Sequence, residues 1–139
     1  AIGPANEAIV VTTPEIAAVR DADRVIGLLE AKGIKQIGLL VNRLRPQMVK
    51  ANDMMSVADV KEILAIPLIG VIPEDECVIV STNRGEPLVL DKKLSLPGIA
   101  FEHTACRLDG QQIEFLDLQS YSRGPFKRLR RFFLGSSAS

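Results

Sequence analysis

The most informative residue types and spacings lie near the C-terminus. Residues 126–133 contain only apolar and basic side chains: Phe126, Lys127, Arg128, Leu129, Arg130, Arg131, Phe132 and Phe133. If this segment is helical, successive residues lie about 100° apart. The aromatic and aliphatic side chains then share one face and the cations the other, with Arg130 at the boundary. This pattern predicts a helix that lies in the membrane interface, with its cations at the lipid phosphates.

Other interpretations of this tail are a disordered or core segment and a nucleic-acid-binding segment. A core helix is disfavoured because buried cations need partners, and the aromatic face favours lipid over nucleic acid. We therefore predict an anionic membrane surface as partner and no nucleic acid. One tail binds marginally, since ordering each residue costs about 1–2 kcal/mol. Two tails on a dimer would gain avidity of roughly 10²- to 10⁴-fold.

A second set of polar residues follows three apolar runs, over 7–12, 36–41 and 68–72. These runs lack strict alternation, which is typical of strands covered on both faces of a parallel sheet. Helical periodicities separate them, so we predict an α/β fold with a doubly wound parallel sheet and flanking helices. The residues at the strand ends are Thr12-Thr13, Asn42-Arg43 and Pro73-Glu74-Asp75. Ligands bind beyond the carboxyl ends of such strands, so topology predicts a site on this rim.

Local signals predict where the helices begin and end. Thr12 with Glu15, and Ser56 with Asp59, have the spacing of capping boxes. The first helix ends at Gly33 and carries a predicted buried stripe: Ile16, Val19, Ala22, Ile26 and Leu29. Further helices are expected over 73–85 and 95–108, a loop with at most a helical turn over 42–52, and extended segments over 87–90 and 113–118.

The 139 residues, 47% apolar and 24% charged, suit one globular domain. Residues 1–122 carry 12 basic and 17 acidic side chains, a balance of −5, and residues 123–139 carry +5. Cys77 and Cys106 lack metal-ligand spacing, and no apolar run approaches the about 20 residues of a membrane-spanning helix. We predict a domain over 1–118, a linker over 119–125 and the amphipathic helix over 126–135, with no metal ligands and no catalytic residues.

Four longer stretches carry a family resemblance that covers nearly all of residues 7–135. They read VVTTPEIAAVRDADRVIGLLE, LLVNRLRPQMVKANDMMSVADV, LIGVIPEDECVIVSTNRGEPLVL and GPFKRLRRFFLG. Their order and spacing resemble the C-terminal half of the MinD family of P-loop ATPases, which place the division septum in bacteria. The amino-acid sequence of these stretches is most similar to that of cyanobacterial and plastid members of the family. ParA-like partition ATPases share the fold but usually lack the amphipathic ending.

The resemblance implies a partial P-loop NTPase fold that contains one side of a nucleotide site. The family's phosphate loop, GKGGVGKT, and its DxPAG strand have no counterpart here, so ATP and Mg²⁺ are expected as cofactors of a full-length protein. The chain thus resembles a fragment that would not hydrolyse ATP by itself. An Asn amide can complement adenine N7 and N6. The residues that match the adenine side are Asn42, Arg43, Pro73, Glu74 and Asp75.

The resemblance also implies partners. Asp21 and Asp23 lie in the matching RDADR helix and are candidates for binding a MinC-type inhibitor and a MinE-type activator after ATP-driven homodimerisation. The expected function is ATP-dependent membrane binding that controls septum placement. The expected location is the cytoplasm and the inner face of the plasma membrane, or the stroma and inner envelope of a plastid. The alternatives are a non-catalytic membrane- and partner-binding module and a fragment of a ParA-like partition ATPase.

Overall fold

The computed structural model describes residues 5–121. Three parallel strands form one sheet in the order β1-β2-β3. The strands are β1 (Glu7–Thr12), β2 (Gln36–Leu44) and β3 (Leu68–Pro73). The helices are α1 (Ile16–Ala31), α2 (Pro46–Lys50), α3 (Val57–Leu64), α4 (Glu76–Arg84), α5 (Leu96–Leu108) and α6 (Leu118–Tyr121), with a 3₁₀ turn at Leu88–Leu90. The predicted α/β class and parallel sheet are confirmed.

The main core lies between the sheet and helices α1 and α3. Alternate residues of β2, Ile37, Leu39 and Val41, belong to one buried cluster, and the last two are fully buried. Val19 of α1 and Val60 of α3 complete its centre. Burying one such side chain stabilises the fold by roughly 1.5–3 kcal/mol, so the sheet is a firm base for the residues at its rim.

Helix α5 packs on the other face of the sheet, directly over Gly70 of β3. A Cβ atom at Gly70 would overlap the Thr104 side chain. Thr104 is buried, and its hydroxyl donates to Ala100 O at 2.7 Å. On this same face Ile9 and Val11 of β1 are 48% and 58% exposed. Helices therefore flank both faces, but α5 covers the side near β3.

The two predicted capping boxes have different outcomes. The box at α3 is confirmed, because Asp59 N donates to Ser56 Oγ at 3.1 Å and Ser56 N donates to Asp59 Oδ2 at 2.9 Å. The box at Thr12 and Glu15 is wrong. Helix α1 begins after Glu15, which makes no side-chain cap hydrogen bond. Thr12 is buried as the last residue of β1, and its hydroxyl donates to the next carbonyl.

The buried stripe of α1 is confirmed at four positions, Val19, Ala22, Ile26 and Leu29. Ile16 was wrongly predicted to belong to it, since its side chain is 62% exposed. Ile16 is the first residue of the helix and lies at the rim of the sheet, where it lines a cleft instead of the core.

Three irregular segments differ from their predictions. Strand β2 continues through Leu44, where a loop over 42–52 was expected, and α2 is the helical turn that was allowed within that segment. A 3₁₀ turn replaces the extended piece over 87–90, and residues 111–117 do not pair with the sheet as a strand. Helix α6 begins at Leu118. The predicted amphipathic helix over 126–135 lies outside the described residues, and the domain boundaries stay predictions.

Candidate functional site

The carboxyl ends of the three strands meet at one rim, as the topology predicted. Glu74 N donates to Leu44 O at 2.9 Å, which ties the turn after β3 to the end of β2. Met55 N donates to Pro14 O at 3.3 Å, which ties the segment before α3 to the turn before α1. These backbone bonds hold the walls of a cleft with a volume of about 600 Å³.

Glu74 is the centre of a charge network in this cleft. Its Oε1 accepts hydrogen bonds from Arg43 Nε and Nη2, at 3.2 and 2.9 Å. Its Oε2 forms an ion pair with Arg45 Nε. The side chain of Glu74 is 21% exposed, against 64% for Arg43 and 53% for Arg45. Two guanidinium groups share one carboxylate, and Glu15, Asp53 and Asp59 also line the cleft, so its lining has a formal charge of −2.

The backbone at Arg43 is unusual. Its φ angle is 58°, in the left-handed region that costs a non-glycine residue roughly 1–2 kcal/mol. The pairing of β2 with β3 shifts register between Val41 and Leu44, and Asn42 Oδ1 accepts a hydrogen bond from Arg43 N at 3.0 Å. Strained backbone of this kind clusters at functional sites. Here it accompanies the contact between the Arg43 side chain and Glu74.

Methionines form much of the apolar wall of the cleft. All three methionines of the chain, Met48, Met54 and Met55, line it together with Pro14 and Ile16. Thioether side chains are flexible and polarisable, so they can adapt to a flat ring. The sequence analysis did not identify these residues or the neighbouring arginine at 45. A sequence signal that could have identified the methionines is that all three lie within residues 48–55.

The five predicted nucleotide-side residues all lie at the rim, but only Arg43 and Glu74 line the cleft. Pro73 is buried at the end of β3. Asp75 caps α4 by accepting a hydrogen bond at 2.8 Å from Cys77 N, and the side-chain and backbone hydrogen bonds from Cys77 lower the pKa of its carboxyl group. The amide oxygen of Asn42 is held by the next residue. Contact of these residues with a base stays a prediction.

The cleft fits the base end of a nucleotide, and the described residues do not fit its phosphate end. Apolar methionine walls beside guanidinium groups suit a flat heteroaromatic ring. Both guanidinium groups are already paired with Glu74. Within residues 5–121, no group of three His, Cys, Asp or Glu side chains is placed to hold a metal ion. Among residues 5–121, the paired guanidinium groups of the cleft and the absence of a metal-ligand cluster thus leave phosphate and Mg²⁺ without contacts at this site.

The predicted partner-binding residues lie on an open surface of α1, where Asp21 and Asp23 are both exposed. Asp21 Oδ1 lies 3.5 Å from Arg24 Nη1, with the two side chains 74% and 79% exposed. So exposed a pair contributes little to stability. The predicted membrane-binding residues 126–133 lie outside the described residues. Over the part of the chain that the structure describes, no helix has the length and apolarity to cross a membrane.

Comparisons with known proteins agree with this architecture. The family model described as the CobQ/CobB/MinD/ParA nucleotide binding domain matches residues 4–88. The chain is 92% identical over 139 residues to a protein of Guillardia theta that carries the name of septum site-determining protein MinD. That match covers 100% of this chain and 52% of the relative. The chain thus spans about half the length of the curated relatives it matches.

Two solved structures share the fold. The MinC:MinD cell division protein complex of Aquifex aeolicus matches with a TM-score of 0.78 and 46% identity, over 82% of this chain and 47% of that chain. The septum site-determining protein MinD complexed with Mg-ADP from Pyrococcus horikoshii matches with a TM-score of 0.64 and 31% identity, over 75% and 41%. The predicted fold is confirmed. Since the family model covers more than half of its residues, this chain belongs to the CobQ/CobB/MinD/ParA nucleotide-binding domain family.

Proposed function

We propose that this chain supplies the base side of the nucleotide site and the membrane attachment of a MinD-type ATPase that controls septum placement. The cleft at the rim carries the proposal, because nucleotides bind beyond the carboxyl ends of parallel strands in folds of this kind. The near-identity to a relative that carries the MinD name supports it.

In this proposal the cleft receives the adenine ring of ATP. Met48, Met54 and Met55 supply polarisable apolar walls for the ring. Asn42 lies at the rim next to the cleft; its oxygen holds a backbone amide with one lone pair and can accept a hydrogen bond from the N6 amine of adenine with the other. Guanine carries a carbonyl oxygen at this position and offers no such donor. The Glu74 network joins the end of β2 to the turn after β3 at the mouth of the cleft. Recognition of the base is therefore separate from chemistry on the phosphates.

The phosphate and Mg²⁺ contacts come from residues outside 5–121 in this proposal. When bound, Mg²⁺ would neutralise charge on the phosphates. The residues of this chain bind and orient the base, and the 139-residue chain alone is not expected to hydrolyse ATP. One solved relative is named as complexed with Mg-ADP, which supports the use of nucleotide and magnesium by a complete protein.

The proposed partners are a second copy, a MinC-type inhibitor, a MinE-type activator and an anionic membrane. The exposed acids Asp21 and Asp23 are the proposed contacts for the two protein partners, and one solved relative is named as a MinC:MinD complex. ATP-driven dimerisation would present two tails to the inner face of the plasma membrane, or to a plastid inner envelope. Avidity would then make membrane binding depend on ATP, and hydrolysis would release the protein.

Exchange of this chain into the Guillardia theta relative tests the proposal. The chimera keeps the half that this chain does not cover, and calorimetry measures its affinity for ATP and GTP with Mg²⁺. We expect the chimera to bind ATP and the 139-residue chain to bind it weakly or not at all. In the chimera, Asn42→Ala should weaken the affinity for ATP roughly tenfold, which is about the contribution of one hydrogen bond. The affinity for GTP should stay almost unchanged.

Asn83→Ala is the matched control, because Asn83 is exposed on α4 away from the rim. It should change neither affinity. A chimera that folds but binds no ATP contradicts the proposed function. An unchanged ratio of ATP to GTP affinity in Asn42→Ala removes that residue from the site.

A further inference from the structure

A second cavity, with a volume of about 450 Å³, lies between α2, α3, β3 and the segment 115–119. We call it the C-terminal groove. Its apolar lining includes Leu44, Val49, Val57, Leu68, Val71 and Leu116. Helix α2 separates it from the cleft at the rim, since Met48 lines the cleft and Val49 lines the groove. The groove is therefore distinct from the proposed nucleotide site.

One wall of the groove is the chain segment that leads toward the C-terminus, and Arg107 fixes this segment. The Arg107 guanidinium donates to three backbone carbonyls, at Ile113 (2.9 Å), Ile69 (3.2 Å) and Glu114 (2.8 Å). It also lies 3.8 Å from the centroid of the Phe115 ring. Residues 113–115 are thus bound to β3 and α5, and the groove has a formed wall.

The C-terminal groove has the chemistry of a site for a helix with one apolar face. Its lining presents aliphatic side chains, which can receive aromatic or leucine anchors. Helix α6 contacts α2 beside the groove, and its first residue, Leu118, is only 7% exposed. The described residues end at Tyr121, three positions after Leu118, which lines the groove.

We propose that the C-terminal groove is a docking site for the tail of the same chain, with Phe126, Leu129 and Phe133 as its anchors. Five Cα steps separate Phe126 from Tyr121 and span at most about 18 Å, which is enough to reach back into the groove. Gly124 and Pro125 lie within this connection and favour a change of chain direction.

Charge complementarity supports the same occupant. Residues 1–122 have a balance of −5 and residues 123–139 a balance of +5, so the domain attracts its own tail. The cations of the tail alternate with its apolar anchors at helical spacing, so they can stay in water while the anchors are buried. The tail uses one apolar face in both environments. Docking and membrane binding are therefore mutually exclusive.

The docked tail acts as an internal competitor of the membrane. The effect on membrane binding rests on the proposed function of the tail, whereas the docking contact does not. The apparent affinity for vesicles falls in proportion to the fraction of molecules in which the tail is free. A partner or ligand that closes the groove would release the tail without touching it.

A single tryptophan tests the docking, because the chain contains none. We would place Phe133→Trp in the 139-residue chain and measure acrylamide quenching without vesicles. The reporter should be protected relative to N-acetyltryptophanamide. Ala58→Arg introduces a long cation into the groove from an exposed position of α3, and it should restore full quenching. The matched control is Ile63→Arg on the same helix, at a 52% exposed position outside the groove. This control should retain protection.

Vesicles of equal parts phosphatidylglycerol and phosphatidylcholine then measure the competition. Ala58→Arg should raise the vesicle-binding constant roughly fivefold. This is the factor expected if the tail is docked in about four-fifths of the unsubstituted molecules. Ile63→Arg carries the same added charge and should not raise it. Circular dichroism verifies that each variant keeps its helices and sheet.

The outcomes separate this inference from the proposed function. An unprotected reporter overturns docking even if vesicles bind the chain. Protection that survives Ala58→Arg, or that grows with protein concentration, overturns it as well, since the tail then lies on another surface or on a second copy. Protection lost in Ala58→Arg without any vesicle binding upholds docking and contradicts the membrane function.

Discussion

Two arginine sites in this molecule differ in the groups that pair with the guanidinium. At the rim, Arg43 is 64% exposed and pairs with the carboxylate of Glu74. Beside β3, the partly buried Arg107 donates to three backbone carbonyls and lies over the Phe115 ring. The first contact is Coulombic and is screened by water and salt. The second is a set of hydrogen bonds from a charged donor, formed partly away from water.

The difference indicates which region can change its contacts. The arginines of the rim are mostly exposed, so water solvates their guanidinium groups when they leave Glu74. If the Arg107 guanidinium left its position, three backbone carbonyl groups would lose their hydrogen-bond donor. Burial also lowers the pKa of its guanidinium, which reports the cost of keeping the charge there. The rim is thus suited to exchange, and Arg107 to fixing the segment that leads to the tail.

Removal of Arg107 should have the largest effect. Arg107→Ala should lower the free energy of unfolding by about 3 kcal/mol, because it removes hydrogen bonds from a charged donor and leaves carbonyls unpaired. Urea unfolding of the 139-residue chain measures the loss. Arg84→Ala, at an exposed position of α4, is the control and should change little. A loss below about 1 kcal/mol would show that residues 113–115 do not depend on Arg107.

Removal of the Asp75 cap should have an intermediate effect that depends on pH. Hydrogen bonds from Cys77 lower the pKa of Asp75 in the folded state. The cap therefore stabilises the fold above the pKa of the unfolded chain and is lost as pH falls through the folded pKa. Asp75→Ala should cost about 1 kcal/mol at neutral pH. Most of this difference should disappear in acid, below the folded pKa.

Urea midpoints at neutral and acid pH measure this difference. Asp91→Ala is the control, since no side-chain hydrogen bond of Asp91 is found among the described residues. A cost for Asp75→Ala that stays constant with pH would mean that the carboxylate charge is not responsible for capping α4.

Loss of the Glu74 network should have the smallest effect and should sharpen the contrast with Arg107. Glu74→Gln should lower stability by roughly 0.5 kcal/mol at low ionic strength, and about 1 M salt should remove the difference. The loss in Arg107→Ala should stay the same at both salt concentrations. Urea unfolding of both variants measures the comparison. Equal salt dependence would mean that the two arginine sites do not differ in kind.

Hydrophobic pattern was enough to predict the three strands and the order of the four longer helices, α1, α3, α4 and α5. Burial on both faces leaves continuous apolar runs, and the predicted strand over 7–12 has the bounds of β1. Pattern failed where long-range contacts decide the structure. Strand β2 continues through the polar Asn42 and Arg43, and Arg43 meets Glu74 31 residues away. No local signal reports that contact.

The site was predicted in its location and only partly in its composition. Topology placed the polar segments on one rim, because parallel strands share an edge. Met48 of the methionine wall lies on α2, the helical turn allowed within 42–52, but no local pattern indicates that this turn lines the rim. The contact of Arg107 with the Ile69 carbonyl spans 38 residues, and an isolated arginine on a helix carries no sign of it.

The outer edge of β1 decides how this chain can be handled in the laboratory. Among residues 5–121, β1 pairs with β2 alone, and Ile9 and Val11 are exposed beside its free edge. A strand edge of this kind can pair with a second edge in another molecule. The colloidal behaviour of the isolated chain then depends on its concentration. Purification at low concentration, or co-expression with a segment that contributes a neighbouring parallel strand, is the way to keep it monomeric.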